Sequence, residues 1–328
     1  MKHLKIFLLF VTITTLLLSG CGPATPTPTP TPASVSLVIG TGGKGGVFYP
    51  YGEGLAKILT ANIPGVTATS VETAGSVQNM KDLQSGKIQL GLSTVDSAFD
   101  AVKAQGAYSE SGKVPAMALA VVYNSFVHIV ASEASGITNI EEMKGKTISV
   151  GDSGSSTEGA ADRILSAAEL NPQSDITRQN LSIADSTAAM ASGKIDAFFW
   201  IGGLPTKAVS DMLATGIKVR FIDASQYLEP LSGKYEYVYR AARLPKETYG
   251  TAADLPGIGI GNILFVTENM PEEQAYQIVK TMFDHLDDVH ALHPQAASLN
   301  LKNAPLGSSI PFHPGAIRFY KEKGVWSQ

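Results

Sequence analysis

Two short stretches hold residue types at spacings that could do chemistry. In the first, Gly40, Gly42 and Gly45 fit G-x-G-x-x-G between an apolar run and a helical one, the setting of a phosphate-cradling turn. A dinucleotide site also needs an acidic residue about 20 positions on for the ribose; the candidate, Glu72, lies 27 past Gly45. A P-loop needs Ser or Thr after its lysine, and Lys44 is followed by Gly45. The second stretch, Gly151-Asp152-Ser153-Gly154, has the look of a serine-protease nucleophile segment. That chemistry requires a histidine base with an acid to orient it. Upstream the chain offers only His3, in the N-terminal segment, and His128, in an apolar run. A hydrolase using Ser153 is therefore the rival from the enzyme class, and no catalytic residue is assigned. A third cluster, Asp284, His285, Asp287, Asp288, His290 and His293, has partial metal-ligand spacing. It reads as a solvated helix face, with no metal expected.

What the two loops share is position. Each follows a strand and precedes a helix, so free backbone N–H groups and a helix N-terminus point at whatever lies beyond the strand end. Thr41, Gly42 and Gly43 form one such anion site; Ser153, Ser155, Ser156 and Thr157 form the other. No arginine lies in either loop, so an anion would be held by N–H and hydroxyl donors, as suits a dicarboxylate, a keto acid or glutamate. Trp200, at the carboxyl end of a strand, is the aromatic expected to reach the ligand. Asp96 has two readings, an acceptor for a ligand ammonium or a plain helix N-cap.

The elements that must position these residues alternate. Strand-like runs begin at Val35, Val66 and Ile88, with helical runs between, and the order returns with strands near Thr147, Ile176 and Ile195. This is an α/β pattern with largely parallel strands. The phrase Ser-Gly-Lys-Ile recurs at 85–88 and 192–195, where Gly86 and Gly193 would end helices in the left-handed conformation. Residues 116–132 read as a strand crossing from one lobe to the other, and 257–269 as the return. The expected organisation is lobe one over 36–125 with 260–328, lobe two over 126–259, and a ligand cleft between them.

Composition narrows the setting. With 44% hydrophobic residues the 328-residue chain can bury a sizeable core, and a net charge of −4 leaves no basic footprint for nucleic acid. Lys2 and Lys5, an apolar stretch from Ile6 to Leu18, and Leu-Ser-Gly before Cys21 read as an export signal over 1–20 ending in a lipobox. Cys21, the single cysteine, is the expected lipidation site. Alternating Pro and Thr complete a stiff tether over 21–34. The expected location is outside the cytoplasm, anchored by lipid to the cell membrane.

Taken together, IGTGGKGGVFYPYG, VETAGSVQNMKDLQSGKIQLGLSTVDSA, GITNIEEMKGKTISVGDSGSSTEGAADRIL, GKIDAFFWIGGLP and PFHPGAIRFYKEKG resemble the TAXI-type solute receptors of TRAP (tripartite ATP-independent periplasmic) transporters. The resemblance covers nearly all of residues 36–328. It implies a two-lobed periplasmic-binding fold of type II, with hinge strands crossing twice. It also implies a monomeric receptor that needs no cofactor and hands a small organic anion to small and large TRAP permease subunits. Position by position, it adds Tyr49, Ser76, Gly202 and Pro205 to the ligand loops. Ser156 departs from the family, which often has Gly there. An ABC-type receptor for a sulfonate or thiamine precursor shares this fold and is the alternative.

Overall fold

The computed structural model describes residues 34–236 and 238–327. The export signal, Cys21 and most of the tether lie outside the described residues.

Strands β1 (Val35–Gly40), β2 (Val66–Val71) and β3 (Leu90–Thr94) alternate with helices α1 (Phe48–Asn62), α2 (Ser76–Gln84) and α3 (Val95–Lys103). The long β4 (Ala116–Ser132) follows. Then β5 (Thr147–Ser149), α4 (Ser156–Ala167), β6 (Thr177–Gln179), α5 (Ile183–Ala191), β7 (Ala197–Gly202) and α6 (Lys207–Ala214) repeat the alternation. Two short strands, β8 (Val219–Phe221) and β9 (Tyr239–Leu244), precede β10 (Leu255–Thr267). Helices Glu272–Asp284 and Pro314–Glu322 pack on each other, the first also against α1.

The strand order is β2-β1-β3-β10-β4-β7-β5-β6. β1 pairs in parallel with β2 and β3, and β5 with β6 and β7, whereas β4 and β10 run antiparallel to each other. β4 lies beside β10 over Ala116–Phe126 and beside β7 over Phe126–Ala131. These two strands therefore belong to both halves. Parallel strands buried on both faces need nearly continuous apolar runs, as all five buried residues of β3 illustrate. Gly86 and Gly193 adopt φ of 76° and 69°, and Lys87 and Lys194 close the helix ends by donating to Asp82 and Ala189 carbonyls. The repeated Ser-Gly-Lys-Ile is thus a shared helix stop.

His128 on β4 is wholly buried. Its Nδ1 lies 3.1 Å from Phe126 O and 3.3 Å from Trp200 O, and both are carbonyls, so Nδ1 carries the proton. Nε2 accepts from the Tyr249 hydroxyl at 3.1 Å, which in turn receives Thr206 N–H at 2.7 Å. Burial lowers the imidazole to about 4 from its ordinary 6.5. The unfolded chain consequently binds a proton that the fold refuses, so stability falls as pH drops from 6.5 toward 4. His128→Gln should flatten this part of the profile. The pH 7 to pH 4 loss of unfolding free energy should be smaller by about 3 kcal/mol in the variant. Denaturant titrations across that range would check it, and identical slopes would refute the assignment.

Candidate functional site

The strands of both halves deliver their carboxyl ends, and the helices that follow, to one cavity of about 620 Å³. Four helix starts line it: Val47–Phe48 of α1, Gly75–Ser76 of α2, Ser155–Ser156 of α4 and Ser182–Ile183 of α5; Thr94, the residue before α3, joins them. The caps of α1 and α2, Val47 and Gly75, offer no side-chain acceptor to their first turns. Gly75 holds φ 120°, ψ −146°, a conformation essentially reserved for glycine. First-turn amides have no acceptor within their own helix, and the partial positive charges of converging N-termini add. Such a cavity favours an anion.

The charged residues of the lining are Lys44, Glu72 and Asp152. Lys44 pairs with Glu72 at 3.6 Å at the exposed edge, so that charge is already compensated. Burial raises the carboxyl of Asp152 above the usual range. No arginine or histidine is among the lining residues. The rest of the wall combines hydroxyl and amide side chains with glycines and with apolar or aromatic groups, Phe48, Tyr123, Ile183 and Trp200 being the large members. Trp200 Nε1 donates to Thr206 Oγ1 at 3.0 Å, and that hydroxyl donates to Gly203 O at 2.8 Å, which fixes the indole. A Cβ on Gly202 would lie 2.1 Å from Trp200 Nε1, so only glycine leaves room for that ring.

The glycine-rich loop answers to the same ring. A Cβ on Gly46 would come within 3.1 Å of Trp200, and one on Gly45 within 2.8 Å of Ile183. The glycines allow the first half to lie directly on the second. The two halves also join through Gln78 N–H to Gly154 O at 3.0 Å and Ser76 Oγ to Ser156 Oγ at 3.3 Å.

Of the residues expected from sequence, Gly42, Gly43, Ser76, Ser155, Ser156, Thr157, Trp200 and Gly202 line this cavity. Five do not. Thr41 is fully buried behind the loop, its hydroxyl donating to Val71 O at 2.7 Å. Tyr49 is one step round α1 from Phe48, which takes the inward position, and its ring sits beneath Lys44 instead. Ser153 is exposed on the turn before α4 and is not among the lining residues. Pro205 lies past the lining, in the turn before α6. Asp96 fits neither of its readings: Thr94 is the cap of α3, and Asp96 borders a separate cavity of about 440 Å³. There it accepts from Tyr239 Oη at 2.9 Å and faces Arg163 at 3.8 Å. The histidine cluster is occupied as well, with His290 Nε2 at 2.8 Å from Leu299 O and His293 Nδ1 accepting Gln295 N–H.

Sequence reasoning missed Thr94, Tyr123, Ser125, Asp152 and Asn262 in the lining. The available signal was the isolated polar residues inside the otherwise apolar crossing strands, Asn124-Ser125 in β4 and Asn262 in β10.

The model of the NMT1-like family matches residues 39–324. Among solved structures, a Listeria monocytogenes protein assigned as an L-cystine ABC transporter superposes with a TM-score of 0.51 at 12% identity, over 80% of this chain and 96% of that one. A chloride-bound protein from Xanthomonas citri gives 0.50 at 11% identity, over 88% and 97%. The periplasmic aliphatic sulphonate binding protein SsuA from Escherichia coli gives 0.45 at 19% identity, over 88% and 82%. The first two establish the fold as two-lobed and periplasmic-binding in type, the architecture expected from sequence.

Proposed function

The chain belongs to the NMT1-like family, and from that premise we propose that it is an extracytoplasmic substrate-binding protein that captures a small organic anion and delivers it to a membrane importer. The observation that carries this reading is the convergence of four helix N-termini on one cavity whose only cation among the described residues is already paired. The aromatic wall adds that the anion has an apolar body, as an organic sulfonate or a carboxylate does. The ligand's charge meets backbone dipoles and hydroxyls, while Trp200 and Phe48 cover its carbon skeleton. Its lobes are 36–125 with 260–328 and 126–259. Cys21 carries the lipid that holds it at the membrane surface, and it works as a monomer without turnover.

Of the two importers compatible with the sequence, the ABC type is favoured: a fold neighbour carries that assignment, whereas the TRAP reading rests on the sequence stretches alone. Uptake that stops on ATP depletion with the ion gradient intact would support the ABC partner; uptake that stops with an ionophore would support TRAP.

The binding claim is checked by thermal unfolding against alkanesulfonates, amino acids, dicarboxylates, keto acids and thiamine precursors. A ligand at 100 times its Kd adds about 2.7 kcal/mol to the folded state. A shift confined to anions is the expected result. A shift only with uncharged pyrimidines, or hydrolysis of an ester by Ser153, would contradict it.

A further inference from the structure

Nearly every buried polar side chain lining the cleft is partnered within the protein. Ser76 Oγ accepts Thr94 N–H at 3.1 Å, Thr157 Oγ1 accepts Ile201 N–H at 3.2 Å, and Thr73 Oγ1 reaches Asn79 Oδ1 at 2.7 Å. Asn262 is the exception. It lies in the middle of β10, is 0% exposed and lines the cavity. Its Nδ2 donates to Ser125 Oγ at 2.9 Å and Tyr123 O at 3.3 Å. The second partner is a carbonyl, which can only accept, so the amide is held with its NH2 end on β4. That leaves Oδ1 as a buried acceptor with no donor among the described residues. Native proteins seldom leave such an atom unmatched.

The local backbone sets up this arrangement. The β4–β10 ladder shifts register between Asn262 and Ile263, and such bulges re-aim side chains beside sites. The cleft thus pairs helix N-termini, which seek negative charge, with a fixed acceptor that seeks a proton donor. Asp152, contributed by the second lobe, is a further acceptor in the same cavity.

Resting on the anion-receptor reading above, we infer that Asn262 is a specificity-determining residue. It selects anions that also carry an N–H or O–H donor, such as amino- or hydroxy-substituted sulfonates and carboxylates, over their plain alkyl counterparts. A ligand of that class satisfies both halves of the cleft at once. A plain alkyl anion leaves Oδ1 stripped of water and unmatched, and a site built to hydrogen-bond a group discriminates against the analogue that lacks it.

The test is isothermal titration of the full chain with matched sets of two-, three- and four-carbon sulfonates and carboxylates. Within each set the terminal group is methyl, hydroxyl or amine. In at least one set the donor-bearing member should bind about tenfold or more tighter than the methyl member, equivalent to about 1.4 kcal/mol. In Asn262→Leu, which is close in size and lacks the acceptor, the two should come within about threefold. Equal affinities within every set, or an unchanged ratio in the variant, would overturn the inference and leave the anion reading intact. No binding by any member of any set would overturn the anion reading itself. Should the variant fail to fold, the matched sets on the unsubstituted chain decide alone.

Discussion

Replacing Arg163 with Met is expected to lower the unfolding free energy by about 3–5 kcal/mol, the usual loss when one member of a buried ion pair is removed. Arg163 projects from α4, and its side chain is 12% exposed. Nη2 binds Asp100, Nη1 donates to Tyr239 Oη at 2.9 Å and lies 3.8 Å from Asp96, and the guanidinium stacks 4.0 Å from the Tyr235 ring. Asp96 and Asp100 both come from α3, so one guanidinium is shared between two carboxylates of the opposite half. Burial already raises the Asp100 carboxyl despite the attraction of Arg163. Without the cation, both acids would face each other in a poorly hydrated space.

For a fold of this size the loss corresponds to a melting temperature lower by about 5–8 °C. A raised carboxyl pKa destabilises above that pKa and is relieved as pH falls through it. The gap between variant and parent should therefore narrow from pH 7 to pH 4.5. Adding Asp96→Asn and Asp100→Asn to the Arg163→Met background should restore most of the loss. Because the pairs span α3 and α4, solution scattering should also show a larger radius of gyration. A melting temperature within a degree of the parent would contradict this account.

Asn79→Leu is expected to cost about 3 kcal/mol or more and to weaken ligand binding about tenfold or more. Asn79 is fully buried in α2. Its Nδ2 donates to Thr41 O at 2.7 Å and Leu92 O at 2.8 Å, and its Oδ1 accepts from Thr73 Oγ1 at 2.7 Å. Leucine would remove three hydrogen bonds and take the amide donor from Leu92 O, while Thr41 O would keep only Thr73 Oγ1 at 3.0 Å; a buried carbonyl left without a donor costs about 1–3 kcal/mol. Binding suffers because of where those bonds go. Thr41 opens the glycine-rich loop, and Thr73 Oγ1 accepts Gly75 N–H at 3.1 Å, holding the start of α2. Even Gly40 belongs to this arrangement, since a Cβ there would sit 2.6 Å from Asn79 Oδ1. Chemical denaturation and titration with the best-binding anion would check both effects. A loss below about 1 kcal/mol would show that water can replace the amide.

Much of the frame was legible because its signals are local. The crossing strand at 116–132 was readable as a long β-rich run, and it forms β4 with those bounds. Gly86 and Gly193 marked their helix ends because a left-handed residue is needed there. Both site loops followed from one rule, that a strand, a small-residue loop and a helix together present free N–H groups.

What sequence left hidden depends on long-range packing. The choice of Phe48 over Tyr49 turns on where α1 starts, which propensity leaves uncertain by a residue or two. Asp96 looked free because its partners Arg163 and Tyr239 lie 67 and 143 residues further along. The glycine-rich motif mimicked a nucleotide site because close approach to Trp200 and Ile183 demands the same residue as close approach to a phosphate. Asn262 was visible as a lone polar residue in an apolar strand, and only the β4–β10 pairing makes it an unsatisfied acceptor in the cleft.

The measurement that bears most directly on the central claim is a crystal structure of the protein with the anion that most raises its melting temperature. The account predicts the anion's oxygens within about 2.7–3.2 Å of the first-turn amides or hydroxyls at Ser76 and Ser156, with its carbon skeleton against Trp200. An anion bound elsewhere, with the cleft between the lobes left to water, would contradict it.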